Sequence, residues 1–335
     1  MSQPPLPLLS LVVPCYNEEE VFSALETALI ELGQLMAQKA RLEFVLVNDG
    51  SRDSTWEQMA AFAAHDARVR AVNLSRNFGH QMAVTCGCDL AQGDAVVTID
   101  ADLQDPPEVV AAMFDQFQNG ADVVFAVRRS REGETAFKLG TAALFYRLLR
   151  WMAPEAGPAD AGDFRLMSRR AVDGLRGMRE RHRYIRGLAG WVGFRTATVE
   201  YERAPRAAGH TKYTLLKMSK LAFDAMFSFS IFPLRLAFLF ALIASLPIWI
   251  YLVYATLRTL LGGAALEPGW ASLLASITLF GALILISLGV VGEYVGRIYE
   301  QVKQRPLYLV QECEPPLDLP LNNSTQETAS EPTNL

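Results

Sequence analysis

Two aspartates separated by one residue, Asp100 and Asp102, lie at the end of an apolar run of strand length at residues 95–100. In an extended segment, residues i and i+2 point to the same side, so the two carboxylates would converge on one site. Oxygen-only ligands suit Mg²⁺ or Mn²⁺, which commonly bridge to substrate phosphates. Surface turns often produce the same spacing, but the position at a strand end, with Gln104 and Asp105 following, favours a divalent metal site.

The elements that must position these carboxylates alternate along the first 127 residues. Apolar runs of strand length lie at 8–13, 43–48, 69–74, 95–100 and 122–127, and helical stretches lie at 19–40, 54–67, 80–91 and 107–119. This alternation predicts an α/β fold with a mostly parallel sheet covered on both faces. Ligands bind beyond the carboxyl ends of such strands. Polar residues cluster at these ends: Asn17, Glu18, Asn48, Asp49, Ser51, Asn77 and the neighbouring Gly79.

The composition excludes several classes of protein. With 335 residues, 51% hydrophobic residues and a mean hydropathy of +0.15, the chain is neither disordered nor collagen-like. It has no G-x-G-x-x-G and no G-K-[S/T] loop, which disfavours a dinucleotide oxidoreductase and a P-loop NTPase. The four cysteines are too few for a disulfide framework, so we expect buried free thiols.

Two long apolar runs near the C-terminus predict a membrane anchor. Residues 231–292 contain only three charged side chains, and runs of 22 and 23 residues at 236–257 and 270–292 contain none. Each run is long enough to cross a bilayer as a helix, and Pro247 is tolerated in membrane helices. A buried core hairpin is the alternative. Basic residues on both flanks predict that both termini are cytoplasmic, and the N-terminus does not resemble a signal peptide.

The charges divide unevenly along the chain. Residues 128–220 contain 20 lysines and arginines against nine acidic residues, although the whole chain has a net charge of −5. A basic segment beside membrane spans predicts contact with anionic headgroups or a lipid phosphate, with a solvated basic face as the alternative. Residues 211–229 suit an interfacial amphipathic helix. Residues 136–151 suit either a second such helix or a core-facing one.

Several motifs together resemble the inverting family 2 glycosyltransferases of GT-A fold. They are VVPCYNE at 12–18, VNDGSRDST at 47–55, RNFG at 76–79 and DADLQDPPE at 100–108. Three further motifs are similar to the polyprenyl-phosphate branch of that family: GDFRL at 162–166, GHTKY at 209–213 and GEYVGRIY at 292–299. The resemblance covers residues 8–311. Many relatives have Asp at the position of Asn48, so nucleotide contact is expected from Asp49 instead.

The resemblance implies a role for each group of motif residues. A nucleotide sugar is expected to contact Pro14, Tyr16, Asn17, Glu18, Asp49, Ser51, Asn77, Gly79, Asp100, Ala101 and Asp102. Asp102 with Gln104 is expected to bind Mg²⁺ or Mn²⁺. Phosphate or lipid-phosphate contacts are expected from Arg128, Arg165, Arg206 and Lys212.

Asp163 occupies the position usually assigned to the catalytic base. A phosphate monoester has a second pKa of about 6, so a lipid-phosphate nucleophile is already largely ionised near neutral pH. We therefore expect Asp163 to orient the acceptor or the sugar rather than to remove a proton. A helix cap, or pairing with Arg165, is the structural alternative.

The expected activity is transfer of a single hexose, with glucose from UDP-glucose favoured, to undecaprenyl phosphate at the cytoplasmic face of a bacterial inner membrane. Transfer of mannose from GDP-mannose, or of formyl-aminoarabinose from its UDP donor, is the alternative, and a membrane adaptor with a degenerate nucleotide fold is the non-enzyme alternative. We expect no nucleic-acid partner, and a homo-oligomer such as a tetramer is compatible with the sequence.

Four parts of the chain are expected. They are a catalytic domain at 1–210, a juxtamembrane amphipathic helix at 211–232, a transmembrane hairpin at 233–297 and a cytoplasmic tail at 298–335 that is disordered after about 312.

Overall fold

The computed structural model describes residues 5–129, 161–181, 183–202, 232–261 and 269–316. These residues fall into two compact units, one built on a sheet and one consisting of two long helices. The first unit includes residues 306–316, which follow the second long helix in the chain. The predicted amphipathic segments at 136–151 and 211–229, together with Arg206 and Lys212, lie outside the described residues.

The sheet unit confirms the predicted α/β architecture. Its strands are β1 (Leu8–Cys15), β2 (Arg41–Asn48), β3 (Val69–Leu74), β4 (Ala95–Thr98), β5 (Val123–Arg128), β6 (Ala161–Ser168), β7 (Thr196–Tyr201) and β8 (Val310–Glu314). Its helices are α1 (Phe22–Met36), α2 (Thr55–His65), α3 (His80–Leu90), α4 (Val109–Gln118), α5 (Arg169–Gly177) and α6 (Ile185–Trp191). Within the described residues the sheet has eight strands in the order β7-β5-β6-β4-β1-β2-β3-β8.

Four adjacent strands of the sheet, β4, β1, β2 and β3, run parallel. β1 lies between β2 and β4, with Leu11 opposite Phe44 on one side and Val97 on the other, and β3 extends the sheet beyond β2. Leu11, Phe44 and Val97 are fully buried. Because helices cover both faces, these strands have continuous apolar runs rather than alternating ones. The carboxyl ends of β1 to β4 therefore meet at one edge, where the polar motif residues lie.

The strand that contains Asp163 was not predicted. β6 runs antiparallel between β4 and β5, and its Arg165 lies opposite Thr98 on one side and Phe125 on the other. Charged residues at 163 and 165 interrupt its apolar pattern, so periodicity alone does not indicate a strand. This insertion delivers Asp163 beside the turn that contains Asp100 and Asp102.

The chain returns to the sheet after the long helices. β8 pairs antiparallel with β3, and the indole Nε1 of Trp56 donates a hydrogen bond to the Glu312 carboxylate at 3.1 Å. Disorder is expected after about residue 312, and the strand continues to Glu314. A tail with few apolar residues gains order here because the edge of β3 supplies backbone partners.

The second unit consists of α7 (Phe232–Leu260) and α8 (Trp270–Val302), which contact each other. Pro247 lies within α7 without ending it. The windows Leu234–Tyr251 and Ser276–Val302 each have a mean hydropathy of 1.9, so both helices could cross a bilayer by length and composition. Both helices extend beyond the predicted spans, because a helix continues into the polar residues on either side of an apolar run.

The cysteines are free thiols, as expected, and three of the four are buried. The buried ones are Cys15, Cys86 and Cys88. Burial raises the pKa of the Cys88 thiol to about 12, so it is not a nucleophile at neutral pH.

Candidate active site

The loops after β1 and β2 are held together by side chain to backbone hydrogen bonds. The backbone N–H of Asn17 donates to Ser51 Oγ at 2.9 Å, and Asn17 Oδ1 accepts from the backbone N–H of Arg52 at 2.9 Å. The N–H of Glu18 donates to Thr55 Oγ1 at 2.9 Å. Asn17 has a φ of 54°, which asparagine tolerates better than most residues. The structure thus brings Asn17, Glu18 and Ser51 together, and their contact with a nucleotide sugar stays a prediction.

Asp49 is buried and anchors a third loop. Its carboxylate accepts hydrogen bonds from the backbone N–H groups of Phe78 at 2.7 Å and Gly79 at 2.9 Å. Burial raises the pKa of Asp49, and these two hydrogen bonds only partly oppose the shift. Gly50 has a φ of +65° and lies so close to the Arg76 backbone that an added Cβ would come within 2.4 Å. Asp49 therefore fixes the loop that begins α3, and its contact with a nucleotide stays a prediction.

Asp100 and Asp102 lie in the turn that follows β4, because this strand ends at Thr98. The prediction that the strand extends to Asp100 was therefore wrong, because β4 ends two residues earlier. They are nevertheless neighbours, because the negative charge of Asp102 contributes to a raised pKa at Asp100. Burial is the main cause of that shift, Asp163 and Asp105 add to it, and the pKa of Asp100 reaches about 6 even though His80 lowers it.

The residues proposed to bind a metal lie in the same turn. Asp102 Oδ1 accepts a hydrogen bond from the backbone N–H of Gln104 at 3.2 Å, and both side chains are partly exposed. Among the described residues, no three histidine, cysteine or acidic side chains come together as a complete metal cage. A carboxylate and an amide oxygen fit Mg²⁺ or Mn²⁺, which need only one or two protein ligands when substrate phosphates supply others.

Asp163 is surrounded by cations. Its Oδ1 accepts a hydrogen bond from the Arg165 guanidinium at 2.6 Å. Its Oδ2 lies 3.6 Å from His80 Nε2 and 3.5 Å from the guanidinium of Arg186. Burial alone would raise the pKa of Asp163, but His80, Arg165 and Arg186 together hold it far below its usual range. Asp163 is therefore an anion at neutral pH and a weak proton acceptor.

The backbone around Asp163 is fixed as well. The hydroxyl of Thr98, the last residue of β4, donates to the Asp163 carbonyl oxygen at 2.5 Å. β4 thus ends beside the backbone of β6 that carries Asp163.

Arg165, predicted to contact a phosphate or lipid phosphate, is buried in the sheet, and its phosphate contact stays a prediction. Its side chain is 1% exposed, because β6 places it between β4 and β5. Besides Asp163, it donates to the Gly162 carbonyl oxygen at 3.4 Å. Its role in the structure is to hold the Asp163 carboxylate.

Arg128 lies at the end of β5 with 30% of its side chain exposed. Its Nε donates to the Tyr201 hydroxyl at 3.3 Å, and its guanidinium lies 3.9 Å from Asp105 Oδ1. The Tyr201 hydroxyl in turn donates to the Asp105 carboxylate. Tyr201 and Asp105 therefore orient a cation that remains accessible to an anionic ligand.

Two residues of this cluster were missed, His80 and Arg186. His80 directly follows the RNFG motif and is one of only four histidines, a signal that could have been used. Arg186 belongs to α6, and nothing in its local sequence distinguishes it from the other arginines nearby. Only the fold brings α6 to β6.

Comparisons with known proteins identify a family. Residues 10–176 match the family model described as glycosyl transferase family 2. The chain is 46% identical over 303 residues to an uncharacterized glycosyltransferase of Bacillus subtilis, covering 90% of this chain and 93% of that protein. It is 40% identical to a prophage bactoprenol glucosyl transferase homolog of Escherichia coli, covering 90% and 98%. The bactoprenol glucosyl transferase of Shigella phage SfII is also 40% identical, with 90% and 97% covered.

Among solved structures, glucosyl-3-phosphoglycerate synthase from Mycobacterium tuberculosis, in complex with Mn²⁺, UDP and glucosyl-3-phosphoglycerate, is similar to this chain. The sequence identity is 20% and the TM-score 0.45, with 66% of this chain and 78% of that chain covered.

Proposed function

The chain belongs to glycosyltransferase family 2, as a GT-A enzyme resembling the bactoprenol glucosyl transferases, and from this premise we propose that it transfers one hexose from a nucleotide sugar to undecaprenyl phosphate. Glucose from UDP-glucose is the favoured donor. The observation that carries the proposal is the meeting of Asp100, after β4, with Asp163, on β6, around one histidine. The identity of 40% to the bactoprenol enzymes, over nearly their full length, supports the choice of acceptor.

In this proposal the loops around Asn17, Ser51 and Asp100 hold the nucleotide. Asp102 and Gln104 would hold Mg²⁺ or Mn²⁺. When bound, the ion supplies positive charge to the diphosphate as its bond to the sugar breaks.

The reaction needs one new bond and one broken bond. A phosphate oxygen of the lipid attacks the anomeric carbon, the bond from that carbon to the diphosphate oxygen breaks, and the electron pair leaves with the nucleoside diphosphate. The configuration inverts because attack and departure occur on opposite sides. The attacking phosphate is already ionised, so no proton has to be removed, which suits the low pKa of Asp163.

Asp163 acts in this reaction as a fixed negative charge that orients neighbouring groups. Arg128, oriented by Tyr201, is the described cation assigned to the acceptor phosphate. Arg206 and Lys212 are assigned to phosphate contacts on the strength of the sequence resemblance.

The helices α7 and α8 are assigned to a transmembrane hairpin with both chain termini in the cytoplasm. Their apolar windows support membrane insertion, and the basic residues on their flanks support the orientation. The catalytic unit would then work at the cytoplasmic surface of a bacterial inner membrane, where undecaprenyl phosphate exposes its phosphate.

A donor panel tests the proposal. Purified full-length protein would be incubated with undecaprenyl phosphate, Mg²⁺ and radiolabelled UDP-glucose, GDP-mannose or UDP-formyl-aminoarabinose in separate reactions. We expect labelled lipid from UDP-glucose. Labelled lipid from another donor would reassign the sugar, and no labelled lipid from any donor would refute transfer to this carrier.

A further inference from the structure

Within the part of the chain that the structure describes, the side chain of His80 lies within 4 Å of both the Asp100 and the Asp163 carboxylates. Its Nε2 lies 3.7 Å from Asp100 Oδ1 and 3.6 Å from Asp163 Oδ2. Asp100 comes from the turn after β4, and Asp163 comes from β6, which is more than 60 residues further along the chain. One imidazole therefore joins two separate motifs.

The position of His80 is built into the fold. It is the first residue of α3, directly after Gly79, whose φ of 100° is a backbone conformation that favours glycine. The buried carboxylate of Asp49 accepts the N–H of Gly79, so the loop that leads into α3 cannot move freely. The ring is thus aimed at the two aspartates by an anchor on a different strand.

The charge balance around the ring favours an imidazolium. The side chain of His80 is 42% exposed, and its partial loss of hydration alone would lower the pKa, but Asp163 and Asp100 outweigh this effect and the pKa is raised. The other charged groups that face it are Arg165, which opposes protonation, and Asp49, whose own pKa His80 lowers. A cation between two carboxylates removes the repulsion that would otherwise separate them.

We propose that His80 is a positioning residue. As an imidazolium between Asp100 and Asp163, it holds the donor side and the acceptor side of the site at a fixed position relative to each other. The proposal rests on the proposed function in one respect, because Asp100 is assigned to the donor and Asp163 to the acceptor or the transferred sugar. His80 itself is given no contact with either substrate.

Steady-state kinetics with His80→Gln give the first test. Glutamine keeps a hydrogen-bonding group but has no charge, so we expect kcat to fall about 10- to 100-fold, the range expected for small misplacement of reacting groups. The KM for the donor should change by less than about twofold, because the two nucleotide loops after β1 and β2 are held by Ser51, Arg52 and Thr55 rather than by His80. His65→Gln is the matched control, since His65 is 57% exposed and pairs with a single glutamate, Glu26, at 3.0 Å.

His80→Lys separates charge from shape. A lysine stays protonated to higher pH than histidine, so we expect this variant to recover part of kcat and to move the alkaline limb of the kcat profile upward. In the wild type this limb should fall as His80 loses its proton. Equal alkaline limbs in the wild type and His80→Gln would contradict the proposal.

A double-mutant cycle tests whether His80 acts through Asp163. If it does, His80→Gln should cost little in an Asp163→Asn background, because the partner is already lost. If the kcat of the double variant falls by the product of the two single-variant losses, the proposal is overturned. A lower kcat in His80→Gln that is fully explained by a smaller folded fraction at the assay temperature would also overturn it, because that result would indicate a purely structural role.

Proton NMR of the imidazole signals tests the bridge without relying on activity. The chain has four histidines, and the signal missing from His80→Gln identifies His80. We expect its pKa to fall in Asp163→Asn, and an unchanged pKa would overturn the bridge. Because this measurement needs no sugar transfer, a failure of the donor panel and a failure of the bridge can be told apart.

Discussion

Replacing Asp163 by asparagine should destabilise the catalytic unit as well as impair it. The Arg165 guanidinium is 1% exposed and depends on the Asp163 carboxylate, at 2.6 Å, for its charge balance. Removing one partner of a buried ion pair typically costs about 3–5 kcal/mol, because the other charge remains buried without compensation. Asp163 itself is 21% exposed, so we take the lower end, about 3 kcal/mol.

The assay is thermal unfolding of the full-length protein in detergent, followed by tryptophan fluorescence. For a unit of about 150–250 residues, about 3 kcal/mol corresponds to a fall in Tm of roughly 6–12 °C. The sign of the pH dependence follows from the pKa of Asp163, which folding lowers. The stabilisation is fully present above the pKa that Asp163 has in the unfolded chain, and it is lost as pH falls through the pKa that Asp163 has in the folded protein. Measurements near neutral pH therefore register the whole effect.

Two further variants make the prediction specific. Asp173→Asn is the matched control, because Asp173 is 53% exposed and pairs with Arg176 at 3.0 Å and Arg169 at 3.8 Å on a helix surface. Such an exposed pair contributes less than about 1 kcal/mol, so its Tm should barely change. Asp163→Asn combined with Arg165→Met removes both charges and should recover most of the lost stability. A Tm of Asp163→Asn equal to that of the wild type would refute the reasoning.

Three other perturbations probe different parts of the site. Tyr201→Phe removes the hydroxyl that orients Arg128. We expect the KM for undecaprenyl phosphate to rise about tenfold, because a hydrogen bond to a charged group contributes roughly 1.5–3 kcal/mol. Kinetics at varied lipid concentration should show this rise with little change in kcat. Chelation of divalent ions should abolish formation of labelled lipid, and Asp102→Asn should raise the Mg²⁺ concentration needed to restore it; unchanged activity with excess chelator would exclude the metal site. Gly50→Ala should lower the Tm, because φ is +65° and the new Cβ would meet the Arg76 backbone at 2.4 Å, and it should cost more than about 1 kcal/mol in chemical unfolding.

Much of the fold was predictable from local patterns. The apolar runs at 43–48 and 69–74 correspond to β2 and β3 within two residues, because strands buried on both faces must be apolar throughout. The long helices α7 and α8 were predictable for a related reason, since a continuous apolar run of more than 20 residues has few alternatives. The strands β6 and β8 were not predictable, because they form by pairing with strands distant in the chain rather than through their own composition.

The residues of the candidate site also divide into those that the sequence could indicate and those that it could not. Asn17, Ser51, Asp100 and Asp163 could be selected as candidates because their motifs are distinctive in type and spacing. The burial of Arg165 could not be predicted, since its position between β4 and β5 is a property of the sheet order. His80 and Arg186 escaped selection because nothing nearby in the sequence indicates that they face Asp163.

The sequence by itself determined which residue types were available for chemistry, which runs must be buried in a sheet and which could enter a bilayer. These are local properties, set by side-chain chemistry and by the periodicity of helices and strands. The tertiary structure alone decided which charges meet. Insertion of β6 between β4 and β5 brought Asp163 to Asp100, buried Arg165 behind it and set His80 between the two aspartates. Electrostatic interactions depend on distance in space and on burial, and neither can be read from separation along the chain.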